Sequence, residues 1–481
     1  MHLQALVSAI AIAAPATGAQ VPPERTATPA PAVSVQAFGY GGHGELGIGY
    51  RTFRQVSPAT VLLPAAPQSF AGGGASATAL LANGDLYGWG GNTFGEAGTG
   101  HQWIPQPTPV KIASGIVYAT SGNEEGCAVN TAGQALIWGG DAFGQAGQGV
   151  PGGGTEAGSI ANAVVAPTTV KGLPAGTVSQ VECSASAYAL FANGNLYGWG
   201  EGRFGQLGLP LQDEVLTPRL VAHEVVEVAF GGIGKYEGTL LMRHADGSVW
   251  AVGTNQNGQA GIGRASGPLP IPSRVRLSGP AVEIDESHSS GIARLADGTV
   301  ETWGRGDGLG YAATESCVVS CSGMPHPVVT GATEVSVGSG TGYAVVGGKL
   351  VDWGRNELGQ LDAPPTTAIL PPAARLSDVS RVSAMLQGAL AEVDAAPALP
   401  KLTGTAGPGL AVSVAWSGGT GPFVVGLREC TSGARERAAR SHTYARISGH
   451  SYVVPVPHSG EWEVRVGSSS FTSSAVRVTV P

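Results

Sequence analysis

Apolar and polar positions alternate along most of this chain in short runs, and the runs come in pairs. SATALL then LYGWG, SAYALF then LYGWG and SGIARL then VETWG are each an apolar stretch, a brief turn and a second stretch ending on a large side chain. Alternation with period two marks half-buried strands, and a turn containing Asn-Gly, Asp-Gly or Gly-Gly between two of them marks a β-hairpin. The turns fall at Asn83-Gly84, Ala132-Gly133, Asn193-Gly194, Asp246-Gly247, Asp297-Gly298 and Gly347-Gly348. All six read as two-residue turns, and five of the pairs suit a tight primed hairpin with positive φ.

After each hairpin comes a glycine-rich segment, and seven of these align: FGYGGHGELGIG, WGGNTFGEAGTG, WGGDAFGQAGQG, WGEGRFGQLGLP, VGTNQNGQAGIG, WGRGDGLGYAA and WGRNELGQLD. Their leading residues are Phe38, Trp89, Trp138, Trp199, Val252, Trp303 and Trp353, so the chain repeats about every 50 residues. Tandem four-stranded units of this length make a β-propeller. An aromatic at one position of every repeat belongs to the core, and burying it stabilises by roughly 1.5–3 kcal/mol or more. In the fifth repeat Val252 takes that position, while Trp250 sits two residues earlier on the same strand face, where Tyr87 and Tyr197 lie in their repeats.

The first repeat has only Val33 to Phe38 ahead of its glycine turn, whereas Val379 to Val393 supplies two strands with no glycine turn after them. Joining the two completes a blade and removes the open sheet edges. The expected fold is therefore all-β: a seven-bladed β-propeller over residues 33–394, followed by a small β-sandwich over 397–481. In that last segment short β-rich runs at 8–15-residue spacing, with Trp416 and Trp462 as core, replace the repeat.

The pattern WG-x-N-x-x-G-Q-L-G resembles the regulator of chromosome condensation repeat family, whose members are seven-bladed propellers. The resemblance covers residues 33–394. Departures are the loss of most of the family's G-x-x-H segments, of which only His288 remains, a shortened sixth repeat, and Asp362 where the seventh repeat should end on glycine. The C-terminal segment resembles a fibronectin type III or immunoglobulin-like module. The family resemblance implies protein partners. It includes exported bacterial propellers that inhibit β-lactamases, and a nucleotide exchange factor acting on a small GTPase.

Composition sharpens this reading. The chain holds 76 glycines and 33 prolines in 481 residues, about twice the ordinary share, yet 42% of residues are hydrophobic, which excludes a disordered chain. Much of the glycine is punctuation in the repeats. The net charge of −8 divides unevenly: residues 397–481 carry eight Lys/Arg against four Asp/Glu, or +4, leaving −12 for the rest. A neutral-to-acidic body argues against a nucleic-acid partner. Arg435, Arg437 and Arg440 form a basic cluster that reads as a solvated edge or as an anchor to an acidic surface, which would give the C-terminal module a cell-surface role.

Leu3 to Ala14 is an apolar run followed by small residues suited to cleavage before Gln20, so residues 1–19 read as a signal peptide and 20–32 as a Pro-rich linker. No later stretch reaches the roughly 18 apolar residues of a membrane span. A secreted, periplasmic or cell-surface location follows. Cys317 and Cys321 then read as a local disulfide, the sharper alternative being a metal site with His326; Cys127 and Cys183 read as small buried residues whose pairing stays open, and Cys430 as unpaired.

No constellation of catalytic residues and no cofactor or metal motif emerges. Matches to G-x-G-x-x-G at Gly39–Gly44 and Gly147–Gly152 are repeat turns rather than dinucleotide sites. Function should lie in what does not repeat, since a propeller displays its loops on two faces. The candidate protein-binding residues are Trp103, Tyr118, Glu124, Glu125, Tyr188, Lys235, Tyr236 and Tyr343, with a Gly/Ala-rich insertion around Gly152 to Ala163 as a further loop. Three functions stand in order: an exported non-catalytic scaffold binding another protein, with inhibition of a secreted enzyme as its concrete form; a guanine nucleotide exchange factor-like regulator; and a protein acting on cell-wall or other polysaccharide.

Overall fold

The computed structural model describes residues 33–150, 152, 160–233, 237–313, 315–317 and 320–394, together with the strands between 402 and 480. Residues 1–32, expected to be a signal peptide and linker, and Lys235, Tyr236, Cys430, the Arg435–Arg440 cluster and most of the Gly152–Ala163 insertion lie outside the described residues.

Seven antiparallel sheets follow one another along the chain. Blade 2 spans 67–113, blade 3 116–169, blade 4 178–222, blade 5 225–274, blade 6 281–329 and blade 7 332–377; each meanders from an innermost to an outermost strand, and blade 6 adds the short strand Glu315–Ser316 at its outer edge. Blade 1 joins the two ends of the repeat array: strand Ser34–Gly41 pairs with Gly388–Val393 from Ser34↔Val393 to Gly39↔Gly388. The expected closure is present, and it leaves no gap in the ring of blades.

Five of the hairpins differ in kind from the two-residue turns expected. Gly84 N–H donates to Leu81 C=O while Leu81 N–H donates to Asp85 C=O, and Asn130/Gly133, Phe191/Gly194, His244/Gly247 and Leu295/Gly298 repeat the pattern. This is a three-residue loop in which the glycine alone takes positive φ, 81° at Gly84. Gly347-Gly348 does form the primed two-residue turn, with both residues at positive φ between Val346 and Lys349.

Trp89, Trp138, Trp199, Trp303 and Trp353 are fully buried between blades. Each indole N–H donates to a backbone carbonyl in the preceding glycine turn: Glu45, Glu96, Gln145, Gln259 and Gly308 respectively, at 2.7–3.0 Å. The shortened sixth repeat keeps this contact through a 3₁₀ turn, Gly306–Gly308. A Cβ on Gly126 would stand 2.3 Å from the Trp138 ring, so glycine there makes room for the indole.

Two polar side chains hold the glycine turn in blades 2, 3, 5 and 7, and blades 1 and 4 keep one of them, Glu45 and Gln206. The Gln or Glu seven residues after the key aromatic accepts from the backbone N–H two residues before itself, as in Phe94 to Glu96 and Phe204 to Gln206, at 2.7 and 3.0 Å. The Asn or Asp three residues after the aromatic accepts from the N–H five residues on, as in Ala97 to Asn92 and Ala260 to Asn255. The repeat motif thus encodes a closed hydrogen-bond set in addition to glycine freedom.

The C-terminal strands pair into two sheets. One is Leu402–Ala406, Ala411–Trp416 and Ser451–Pro455; the other is built on Phe423–Glu429 and Gly460–Ser468. The Trp416 and Trp462 side chains lie outside the described set.

Candidate functional site: the glycine-turn end of the propeller

Strand register fixes which loops share an end. Ser76 pairs with Gly90 and Gly90 with Gln106, so the turn after Gly72, the glycine turn from Gly90 and the approach to the outermost strand all lie at one end. The Asn-Gly-type hairpins lie at the other.

At the glycine-turn end, large apolar side chains stand in water on four consecutive blades. Phe53 is 66% exposed on blade 1, Trp103 60% on blade 2 with Ile104 beside it, and Leu211 57% on blade 4, with Val150 exposed on the intervening blade 3. Trp103 has φ of 72°, a conformation rare for a non-glycine residue, and its N–H is tied to Asn92 C=O at 2.6 Å. Asn92 is itself fixed by Thr99 and His101. Phe53 joins a small cluster with Tyr40, whose ring is 5.6 Å away, and Tyr40 in turn meets His43 at 5.5 Å. A hydrogen bond to Glu45 raises the His43 imidazole above its usual range.

The other sequence candidates divide. Tyr188 and Tyr343 are not displayed on loops: both are fully buried in second strands, and their hydroxyls donate to Gln206 C=O and Gln360 C=O at 2.9 and 2.8 Å. Tyr118 lies on the innermost strand of blade 3, where its hydroxyl donates to Glu182 of blade 4 at 2.8 Å. Glu125 is buried at the start of a strand, accepts from Gln145 Nε2 at 2.9 Å, and burial pushes its carboxyl up to about 8. Glu124 is half-buried beside it, its backbone N–H donating to Glu125. These five are parts of the framework; among the described candidates Trp103 is the one exposed to solvent.

Tyr118 belongs to a wider set of bonds between innermost strands. Glu227 accepts from Ile284 N–H, Glu283 from Val335 N–H and Glu334 from Val382 N–H, each reaching from one blade to the next, at 3.3, 3.3 and 2.9 Å. Arg381 closes the circle by donating to the carbonyls of Pro67 and Gln68 while paired with Glu392. Burial raises Glu182 and Glu334 to about 7.

Cys127 and Cys183 form a disulfide between blades 3 and 4, with Cα atoms 6.2 Å apart, and Cys317 is bonded to Cys321. Glu315 brings a carboxylate near that second pair, but both sulfurs are committed to each other. Among the described residues no helix is long and apolar enough to cross a membrane.

Residues 193–232 match the Regulator of chromosome condensation (RCC1) repeat. The chain carries an RCC1 repeat. Human E3 ubiquitin-protein ligase HERC2 is 27% identical over 372 residues, 74% of this chain; the chain spans 7% of that protein's length. The bovine secretion-regulating guanine nucleotide exchange factor is 26% identical over 376 residues, 68% of this chain and 75% of its own. The crystal structure of Prp20p from Saccharomyces cerevisiae, described with its binding to Gsp1p and histones, superposes with a TM-score of 0.65 at 21% identity, covering 76% of this chain and 92% of that one. The likeness establishes the seven-bladed propeller fold.

The sequence missed Phe53, Ile104, Val150 and Leu211. The available signal was a large apolar residue 12–15 positions after the leading aromatic in the first four repeats.

Proposed function

We propose that this chain is an exported, non-catalytic recognition scaffold whose RCC1-type propeller binds another protein through its glycine-turn end. The observation that carries this reading is the exposed apolar band over four consecutive blades, with Trp103 held outward by a backbone conformation that favours glycine. Exposed aromatics of this kind serve as interface anchors. The disulfide between blades 3 and 4 supports passage through an oxidising compartment, in keeping with a cleaved leader over residues 1–19. A secreted enzyme is the partner class this reading favours. The strands after 402 form a fibronectin type III or immunoglobulin-like module that spaces or anchors the propeller at a cell surface.

The test is affinity capture of a secreted or envelope protein by the full chain, with Phe53→Ala, Trp103→Ala and Leu211→Ala as paired variants. A partner retained by the wild type and released by these variants supports the reading. Equal retention by all four places recognition elsewhere.

A second reading, guanine nucleotide exchange, is favoured by the likeness to the bovine exchange factor over most of both chains. Accelerated release of labelled GDP from a small GTPase would establish it.

A further inference from the structure

Opposite the glycine turns, at the hairpin end, blades 4 and 5 part around a crevice of about 1090 Å³. Its floor is Leu190 and Phe191, and its walls include Val226 and Trp250. Trp250 occupies the strand position that Tyr87 and Tyr197 hold in blades 2 and 4, while Val252 fills the usual inter-blade slot, and the partly buried indole lines the crevice. Val226 is 45% exposed beside it. An apolar, aromatic concavity of this size is of the order of a small-ligand site.

The rim is acidic. Glu224 has φ of 58°, and the same joint between successive blades is made by glycine at Gly115 and Gly331, with φ of 70° and 74°. Asp378 takes the same conformation, φ 59°, at the joint between blades 7 and 1, so the joint imposes it, and between blades 4 and 5 it sets a carboxylate on the rim of the crevice. Across the crevice Asp246 accepts from Ser248 N–H at 2.8 Å. That bond with Ser248, aided by His244 and Arg274, holds the Asp246 carboxyl below its usual range, so it is ionised. Among the residues lining the crevice, Glu224 and Asp246 are the carboxylates and His244 is the basic side chain.

We propose that this crevice binds a small organic cation with an aromatic or branched apolar body, the arylalkylammonium class. Trp250 offers a π surface to the cationic centre, Leu190 and Phe191 receive the apolar body, and Glu224 and Asp246 offset the charge. Desolvation of an ammonium is costly, and quaternary nitrogen lowers that cost, so quaternary ligands bind more tightly than primary amines of the same size.

Calorimetric titration of the full chain with benzyltrimethylammonium and with benzyl alcohol tests this. The expected result is saturable one-to-one binding of the cation, at least about fivefold tighter than the alcohol. The Glu224→Gln/Asp246→Asn double variant, which leaves the core intact, loses that preference, and Trp250→Leu weakens the cation further. The proposal is overturned if the cation does not saturate by about 10 mM, if the alcohol binds equally well, or if the double variant keeps the wild-type preference at an unchanged melting temperature.

Discussion

The hydroxyl of Tyr188 donates to the carbonyl of Gln206 at 2.9 Å, in the place where a tryptophan of the next blade would otherwise donate. Blade 5 has Val252 at the tryptophan position, and Tyr188 of blade 4 supplies the missing N–H equivalent. The other exception obeys the same rule. Blade 1 has Phe38, and Tyr343 of blade 7 donates to Gln360 C=O at 2.8 Å. At the position of these tyrosines other blades carry Thr78, Cys127, Leu241 and Ile292. A buried carbonyl at every joint must be satisfied, and the chain has two ways to do it.

Tyr188→Phe should therefore leave a buried acceptor empty and cost about 1–3 kcal/mol. Urea denaturation should show a lower midpoint with an unchanged slope. Tyr343→Phe should behave alike, since Phe38 cannot donate in its stead.

Stability should rise as pH falls from about 8 toward 5. Burial raises Glu125 to about 8, Glu182 and Glu334 to about 7 and Asp141 to about 6. An acid whose folded pKa exceeds its unfolded value costs stability fully above the folded pKa, and that cost disappears below the unfolded one. Melting temperatures across this range check the slope, and Glu182→Gln should flatten it. The rise should slow below about pH 6.5 and end near 4, because burial depresses His288 to about 4 and the folded state resists its protonation across that interval.

Arg381→Ala should destabilise the closed ring. The guanidinium bridges blade 1 to the carbonyls of Pro67 and Gln68 in blade 2, and its removal leaves the buried Glu392 carboxylate without its cation. Breaking a pair of this kind costs about 3–5 kcal/mol when fully buried, and less here because Arg381 is partly exposed. Hydrogen exchange should accelerate first in Ser34–Gly41 and Gly388–Val393.

Reduction of Cys127–Cys183, or Cys127→Ser with Cys183→Ser, should cost about 2–4 kcal/mol, because the bridge spans 56 residues of chain and restricts the unfolded state. Thermal unfolding with and without reductant measures it.

Trp103→Gly should separate stability from recognition. Glycine relieves the positive φ, so the melting temperature should hold or rise, while partner capture falls sharply. Loss of both together would show that Trp103 supports the fold instead.

The number of blades, their register, the closure by residues 34–39 and 388–393 and the burial of the key tryptophans were all legible in the sequence, because each rests on a local pattern repeated at a nearly constant interval. Hairpin class was half legible. Asn-Gly announces a turn, but two-residue and three-residue loops both use the same glycine, and the strand pairing on either side decides between them.

What only the tertiary structure decided is what happens between blades. Tyr188, Tyr343 and Glu125 look like exposed protein-binding residues in the chain; in the fold the two tyrosines are buried donors and Glu125 is sealed beside Gln145. The Cys127–Cys183 bond, the exposed band from Phe53 to Leu211 and the crevice around Trp250 join residues tens of positions apart. A repeating motif specifies backbone conformation within a unit, where neighbours in sequence are neighbours in space. Contacts across a joint depend on which side chains two units bring to the same point, and that becomes definite only when the ring is closed.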